Sequence, residues 1–331
     1  MIKNVRIKDF RGIEDLSLNL KKINILIGAN DTGKSSILEA IAIAGTSPTY
    51  IDALSNNVLQ HVVSWRGKPY AINLSHLVRI GADHAEITIE KENPVTIEIY
   101  NGMILPGQRS YDPFSKYLVV TIWNRNLHYK AYVFATHDEI VIDNFTDNGR
   151  EAKLVMISKS ISAEDLLETQ IYYLLLQQST HPNDSEPNHV KSIMTDKILS
   201  KQCCHHISFN TIGDSTRHLM FYQLIMNMPD VDVILLDVPE KNMHPSHISQ
   251  LVKSMIDKSK NSNRQFIITT HSMDLIKDVI EKAQGSGIED DIQLIGMYRD
   301  DDNNMIKADI INYAEADEAV NETLVDIRYQ Y

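Results

Sequence analysis

The chain has 331 residues, of which 43% are hydrophobic, so it contains enough apolar material for a sizeable core in one large domain or two lobes. Its 44 acidic and 32 basic residues give a formal net charge of −12, so any contact with nucleic acid would require a local basic patch. No apolar run approaches the roughly 20 residues that span a bilayer, and we expect no membrane partner.

The N-terminal part of the chain is predicted to contain three strands followed by a helix. Apolar and polar residues alternate over residues 5–10 and 16–20, as in strands with one buried face. Residues 23–27 are apolar almost throughout and end at Gly28, which indicates a buried central strand that feeds a loop. Residues 35–44 are then predicted to form a helix.

The middle of the chain changes its pattern twice. From residue 85 to 142, five short β-prone stretches are separated by turn residues, and this spacing predicts an antiparallel β meander. From about residue 160 to 227 the pattern becomes helical, beginning with the segment SAEDLLETQIYYLLLQQ. We therefore divide the chain into residues 1–158 and 229–331, which form the two parts of one lobe, and an inserted helical lobe at 159–228.

The C-terminal third alternates between strands and helices. The segments VDVILLD, QFIITT and IQLIGMYR are typical of buried strands, and helical segments of 13 to 15 residues separate them. Strands that alternate with helices of this length predict a parallel sheet and an α/β fold class. No long heptad repeat is present, so we expect no coiled-coil arm.

A phosphate-binding motif joins the third predicted strand to the first helix. The segment GANDTGKSS fits the pattern G-x-x-x-x-G-K-S in the strand–loop–helix context of a P-loop. Its glycines let the backbone wrap around an anion, its lysine neutralises the terminal phosphates, and its first serine is a Mg²⁺ ligand. The predicted nucleotide-binding residues of this loop are Gly28, Asn30, Asp31, Thr32, Gly33, Lys34, Ser35 and Ser36.

A partner carboxylate for the magnesium ion is expected at the end of another parallel strand. Asp237 ends the apolar strand VDVILLD, and an ionised carboxylate there needs a partner such as Mg²⁺. We therefore expect Ser35 and Asp237 to hold the metal. A structural ion pair is the alternative for Asp237.

With these elements in place, the chain resembles the ABC ATPases of the SMC and RecF type, and in particular the single-chain prokaryotic ATPases related to the overcoming-lysogenization-defect group. The resemblance extends nearly from end to end. It implies an ABC-type P-loop head, ATP and Mg²⁺ as cofactors, and a site completed by a second subunit. It rests on five segments in the family's order: KDFRGIEDLSLNL, the P-loop with Asn30, DVPEKNMHP, FIITTHS and VDIR.

One departure from the family concerns catalysis. The residue after the Walker B aspartate is normally a glutamate that orients the attacking water, and here it is Val238. A valine side chain has no lone pair and cannot act as a base, so we expect slow hydrolysis. Glu240 is the nearest substitute base, and a structural contact in the D-loop is its alternative role.

The signature segment is the second departure. In relatives it contacts the γ-phosphate bound by the opposite subunit, and here it is TIGDSTRHLM, with Ser215 where relatives often carry glycine. We expect Gly213, Asp214 and Ser215 to contact nucleotide through the free amides of a helix start and through the serine hydroxyl. A simple helix cap is the alternative.

Two further residues are assigned through the resemblance. His271 follows the strand of FIITTHS and is expected to contact the γ-phosphate as the switch histidine. Arg11 belongs to the family's Phe-Arg pair and is expected near the nucleotide, with a solvated surface position as the alternative. For the loop that senses Mg²⁺, Gln60 and His76 are candidates between which the sequence does not choose.

The two cysteines invite a metal interpretation, because Cys203 and Cys204 precede two histidines at 205 and 206. A strand would turn only alternate residues to one face, which leaves too few ligands for a closed tetrahedral zinc site. Adjacent cysteines seldom form a structural disulfide, and the pair favours a reducing, cytoplasmic location.

Taken together, these features predict an ATPase that dimerises on ATP with Mg²⁺ and gates or drives a partner effector, such as a nuclease. A catalytically weak, nucleotide-dependent interaction module is the first alternative, and Val238 favours it. A repair or defence ATPase that contacts DNA is the second. The excess of acidic over basic residues and the lack of a predicted coiled-coil arm argue against direct DNA binding.

Overall fold

The computed structural model describes residues 1–45, 62–63, 70–92, 94–101, 116–124, 127–135, 140–143, 154–157, 213–227, 231–300 and 302–322. The Cys203 to His206 cluster, Gln60 and most of the predicted helical lobe lie outside these ranges. The division of the chain at residues 158 and 228 therefore stays a prediction.

One sheet is antiparallel throughout and has seven strands in the order β2-β1-β4-β5-β6-β7-β8. It contains the predicted meander, since β4 to β8 follow one another as sheet neighbours. Its strands are β1 (Asn4–Phe10), β2 (Ile13–Asn19), β4 (His84–Glu90), β5 (Val95–Asn101), β6 (Lys116–Asn124), β7 (Leu127–Ala135) and β8 (Ile140–Asp143).

The second sheet has six strands in the order β13-β12-β3-β11-β10-β9. All neighbours are parallel except β12 and β13, which form an antiparallel pair at one edge. Two of its strands, β9 and β13, were not predicted from the sequence. Its strands are β3 (Ile23–Gly28), β9 (Leu154–Ile157), β10 (Val233–Asp237), β11 (Gln265–Thr269), β12 (Ile292–Arg299) and β13 (Ile306–Asn312).

The helices lie on both faces of the six-stranded sheet. Helix α1 is buried along most of its length between the two sheets, and it contacts strands of both. On the opposite face, α3, α4 and α5 supply a second apolar cluster. The helices are α1 (Lys34–Gly45), α2 (Tyr70–Ser75), α3 (Asp214–Asn227), α4 (Pro245–Ser262), α5 (Met273–Ala283) and α6 (Tyr313–Asp317), with a 3₁₀ turn at Glu289–Asp291 and a π turn at Glu318–Glu322.

Three buried amide side chains bind the six-stranded sheet together near the start of its central strands. Gln293 Nε2 on β12 donates to Asn24 Oδ1 on β3 over 2.9 Å, and Asn24 Nδ2 donates to the carbonyl of Phe266 on β11 over 3.1 Å. Gln265 Nε2 donates to the carbonyls of Ile2 and Lys21. Because buried polar groups are costly when unpaired, this network fixes the register of β3 between its neighbours. The network thereby also aligns the carboxyl ends of β3, β11 and β12, where the P-loop begins.

Candidate functional site

The P-loop wraps tightly between β3 and α1 because its glycines adopt conformations that other residues disfavour. Gly28 has φ 131° and Gly33 has φ 87°. A Cβ atom on Gly28 would lie 2.1 Å from the carbonyl oxygen of Met297, and one on Gly33 would lie 2.9 Å from Ile306 Cδ1. A side chain on Gly28 would clash with the backbone of β12, and one on Gly33 would press on the Ile306 side chain and require a strained backbone, so both glycines suit the loop's path.

The lysine of the motif lies against the loop that precedes it. Lys34 is buried, and its Nζ atom donates to the carbonyls of Gly28 over 2.9 Å and Ala29 over 2.5 Å. Thr32 is also buried, and its hydroxyl donates to the Ala29 carbonyl over 2.9 Å. The ammonium group is thus held at the centre of the loop, where the phosphates of a nucleotide would be neutralised.

A hydroxyl and a carboxylate from distant parts of the chain meet beside this loop. Ser35 Oγ lies 3.0 Å from Asp237 Oδ1, and Thr269 Oγ1 donates to the same oxygen over 2.5 Å. Oxygen ligands of this kind suit Mg²⁺, which usually takes only one or two protein ligands and completes its shell with water and phosphate. The described residues contain no cluster of three or more His, Cys, Asp or Glu side chains, so these side chains alone do not form an all-protein metal cage.

A cleft of about 790 Å³ opens over the loop and falls within the usual range for small-molecule sites. Most of the predicted site residues line it: Arg11, Asn30, Asp31, Gly33, Lys34, Ser35, Ser36, Asp237 and His271. His76, one of the two candidates for the Mg²⁺-sensing loop, is also in the lining. Residues that the sequence did not single out complete the wall: Gly12, Asn73, Val78, Ile80, Thr269, Arg299 and Ile306.

Val238, the residue directly after Asp237, lines the cleft. Its backbone has φ 53°, a left-handed conformation that is rare for a β-branched residue. Its N–H group donates to the carbonyl and to the hydroxyl of Thr269, each over 3.0 Å. Among the described residues that line the cleft, the only carboxylates are those of Asp31 and Asp237.

Glu240 lies beside the cleft instead of lining it. Its Oε1 atom accepts a hydrogen bond of 2.7 Å from the hydroxyl of Thr270 and one of 3.0 Å from the backbone N–H of His271. Its Oε2 atom is buried and has no hydrogen-bond partner among the described residues. This geometry differs from the expected one for a substitute base, because the carboxylate faces the backbone of the switch histidine. A direct role as base stays a prediction.

Arg11 is not a solvated surface residue. It lines the cleft, and its side chain is largely buried in an ion pair with Glu39 of α1. Its backbone N–H donates to the carbonyl of Leu77 over 2.9 Å. The arginine therefore ties the turn between β1 and β2 to the helix that follows the P-loop.

The predicted signature segment lies at the start of α3 and outside the cleft lining. Gly213 and Asp214 are exposed, and no heavy atom of the described residues lies within 4 Å of a Cβ built on Gly213. The hydroxyl of Ser215 accepts from the backbone N–H of His244 over 2.8 Å and lies 2.6 Å from His247 Nδ1. The segment is thus fixed to the region after the Walker B strand and does not contact the chain's own cleft.

A parallel sheet that places a P-loop beside Asp237 and His271, with an antiparallel sheet packed on α1, defines an ABC-type P-loop ATPase. A family model described as an AAA ATPase domain matches residues 1–202, and the chain belongs to this family. A second model, described as an AAA domain of a putative AbiEii toxin of a type IV toxin–antitoxin system, matches residues 208–277.

Several proteins are similar to this chain over part or most of its length. An ATP/GTP phosphatase of Helicobacter pylori is 21% identical over 91% of this chain and 93% of its own length. The RecF replication and repair protein of Francisella tularensis subsp. mediasiatica is 30% identical over 30% of this chain and 36% of its own length. An uncharacterised protein of Methanocaldococcus jannaschii is 44% identical, and the match spans 20% of this chain but only 31% of that protein.

Two solved structures share the fold at low sequence identity. An SMC head bound to the C-terminal winged-helix domain of ScpA has a TM-score of 0.52 and 14% identity, covering 94% of this chain and 98% of that one. An SMC head with an extended coiled coil, bound to the C-terminal domain of ScpA from Pyrococcus furiosus, has a TM-score of 0.50 and 13% identity over 98% and 99% of the two chains. The chain therefore shares the fold of the SMC heads, and its family model is that of an AAA ATPase domain. No helix in the described part of the chain is long and apolar enough to cross a membrane.

Proposed function

We propose that this chain is a slow ATPase that dimerises when it binds ATP with Mg²⁺ and that uses this state to gate a partner protein. The observation that carries the proposal is the composition of the cleft. It combines an intact phosphate loop and metal-binding pair with a valine at the position of the usual catalytic glutamate. Such a site favours nucleotide binding over rapid hydrolysis.

Nucleotide binding rests on the residues that fit each part of Mg²⁺-ATP. Lys34 and the backbone amides of the loop would hold the terminal phosphates, and Ser35 with Asp237 would hold the ion. When bound, the ion neutralises phosphate charge. These residues are already grouped around one cleft by the ends of β3, β10 and β11.

Slow turnover rests on Val238, which leaves the described lining without a carboxylate directly after Asp237. Asp237 is occupied by Ser35 and Thr269, and Glu240 faces the backbone of residues 270 and 271. His271 is exposed and lines the cleft, so it is the group best placed to contact a γ-phosphate. In this arrangement Glu240 is a positioning residue that acts through His271.

Dimerisation on ATP rests on the position of the signature segment. Gly213 and Asp214 are exposed at a helix start and lie outside their own chain's cleft, which suits a contact with nucleotide held by another subunit. A bound γ-phosphate would supply the differential affinity that shifts the monomer–dimer equilibrium.

A partner protein is proposed from the neighbours, since the SMC heads of similar fold are bound to ScpA domains and the second family model is described in terms of a toxin–antitoxin system. An effector such as a nuclease fits a defence role, and the likeness to RecF supports a repair role as the alternative. The acidic net charge of −12 favours a protein partner over direct DNA binding.

The proposal is tested by measuring binding, mass and turnover on one preparation. We expect Mg²⁺-ATP to bind by calorimetry, a non-hydrolysable ATP analogue to double the mass in sedimentation, and ADP to leave it unchanged. Steady-state release of phosphate should be slow. Equal mass with ADP and with the ATP analogue would contradict ATP-dependent dimerisation. Fast release of phosphate would contradict slow hydrolysis.

A further inference from the structure

The order of strands gives the cleft two distinct ends. On one side of β3 lie β11 and β10, whose ends supply His271 and the metal-binding Asp237. On the other side lie β12 and β13, whose ends supply Arg299 and Ile306 to the same cleft. A nucleotide with its terminal phosphate and metal at the first end would therefore extend its nucleoside past the P-loop toward the second.

Arg299 is the cation at this second end, and its contacts fix where its guanidinium lies. Its Nε and Nη2 atoms both donate to the carbonyl of Asp31 in the P-loop, over 3.2 and 3.0 Å. Its Nη1 atom donates to the carbonyl of Asn304 in the turn between β12 and β13, over 3.0 Å. An arginine has five N–H donors in one plane, so two of them are not used by these bonds.

The arginine and the lysine that line the rest of the cleft have other roles. Arg11 forms a buried ion pair with Glu39, and Lys34 donates to carbonyls within the P-loop. Arg299, in contrast, is exposed and forms no ion pair with any described residue. Arg299 is thus an exposed cation of the cleft lining that has two N–H donors outside these three bonds.

The surroundings of Arg299 match a nucleoside better than a bare phosphate. A Cβ atom on Gly12 would lie 3.7 Å from Arg299 Nη2 and 3.7 Å from Ile306 Cδ1, so the turn between β1 and β2 lies beside the arginine and an aliphatic side chain. A planar guanidinium beside an aliphatic surface can stack on a base and donate to ribose oxygens.

We propose that Arg299 binds the nucleoside portion of the nucleotide and so contributes to affinity without taking part in recognition of the γ-phosphate. The inference rests on the proposed function, because it requires that the cleft bind a nucleotide. It differs from a purely structural role, in which Arg299 would only hold the P-loop through the carbonyl of Asp31.

Inorganic tripolyphosphate separates the two roles, since it has the phosphates of ATP and no nucleoside. We expect Arg299→Ala to raise the Kd of ATP and of ADP by about tenfold each, which leaves the ratio between them unchanged. The Kd of Mg²⁺-tripolyphosphate, measured by competition with a fluorescent nucleotide on each variant, should stay within about twofold of wild type.

Two further variants complete the experiment. Lys307→Ala removes the ion pair with Asp300 in the same hairpin but does not alter the cleft lining, so it should bind ATP as wild type does. Arg299→Lys keeps the charge and loses the planar fork, and it should weaken ATP binding less than the alanine variant. Arg299→Lys also tests the inference if Arg299→Ala does not fold.

Each result decides the inference. Equal weakening of ATP and tripolyphosphate would assign Arg299 to the P-loop alone, and unchanged affinity for ATP in both arginine variants would remove it from the site. A change in the ratio of ATP to ADP affinity would place it at the γ-phosphate. Failure of the wild-type protein to bind any nucleotide would instead overturn the proposed function.

Discussion

Ser35 Oγ lies 3.0 Å from Asp237 Oδ1, although 202 positions separate the two residues in the chain. The contact joins the start of α1 to the end of β10, and Thr269 at the end of β11 donates to the same carboxylate. Because α1 and both strands are packed into the core, the hydroxyl and the carboxylate are held in place by the fold itself. A Mg²⁺ ion held by Ser35 and Asp237 would replace the hydrogen bond between them.

Lys34 is expected to supply much of the affinity for nucleotide. Lys34→Ala removes the ammonium group that neutralises the phosphates, so we expect the Kd for Mg²⁺-ATP to rise by roughly 10- to 100-fold. Calorimetry measures the change. The control is Lys8→Ala, which removes an exposed lysine from β1 and should bind ATP normally. Equal affinity in wild type and Lys34→Ala would contradict the P-loop assignment.

Val238→Glu should restore a water-orienting carboxylate. Such a group is worth about 10² to 10⁴ in rate, so we expect turnover to rise at least about tenfold with little change in the Kd for ATP. A phosphate-release assay measures the rate.

Val238→Gln is the matched control for this variant. It also removes the β-branched side chain from a left-handed position, where φ is 53°, but it adds no base. If the glutamine variant gains as much activity as the glutamate variant, relief of backbone strain and not base catalysis would explain the increase.

Glu240→Gln separates positioning from base catalysis. A glutamine retains an oxygen that can accept from Thr270 and from the N–H of His271, so we expect residual turnover to fall by less than about tenfold. Glu240→Ala removes that acceptor and should weaken turnover about as much as His271→Ala does. Loss of all activity in Glu240→Gln would show instead that Glu240 is the base.

Gly213→Glu should block the ATP-dependent dimer without disturbing the monomer. The position is exposed and open, so the fold should tolerate the side chain, whereas the added charge would face the γ-phosphate of the partner subunit. Sedimentation with an ATP analogue should give the monomer mass. Gln250→Glu adds the same charge at an exposed position of α4 and should dimerise normally.

His218 should make the fold sensitive to acid. Its pKa is lowered chiefly because burial disfavours the charged ring, and a hydrogen bond with the backbone of Lys241 only partly offsets this. The unfolded chain therefore binds more protons, so stability present above the ordinary pKa of 6.5 is lost as the pH falls below it. The melting temperature should drop less between about pH 7.5 and 5.5 in His218→Gln than in wild type. An equal drop in both would contradict this assignment.

The sequence by itself determined the elements whose signals are local. The P-loop follows from nine consecutive residues after an apolar strand, and Asp237 and His271 each follow directly from the end of such a strand. The carboxyl ends of parallel strands meet at one edge of a sheet, so these three signals also predicted that the residues would share a site.

Only the tertiary structure decided the contacts between segments that carry no common motif. Arg299 and the carbonyl of Asp31 are 268 positions apart, and nothing in either segment predicts that β12 lies beside β3. Glu240 likewise was predicted as a base from its distance to Asp237 along the chain, whereas its side chain faces the end of β11. The physical reason is that spacing along one segment fixes which way neighbouring residues point, but the order of strands in the sheet fixes which segments meet.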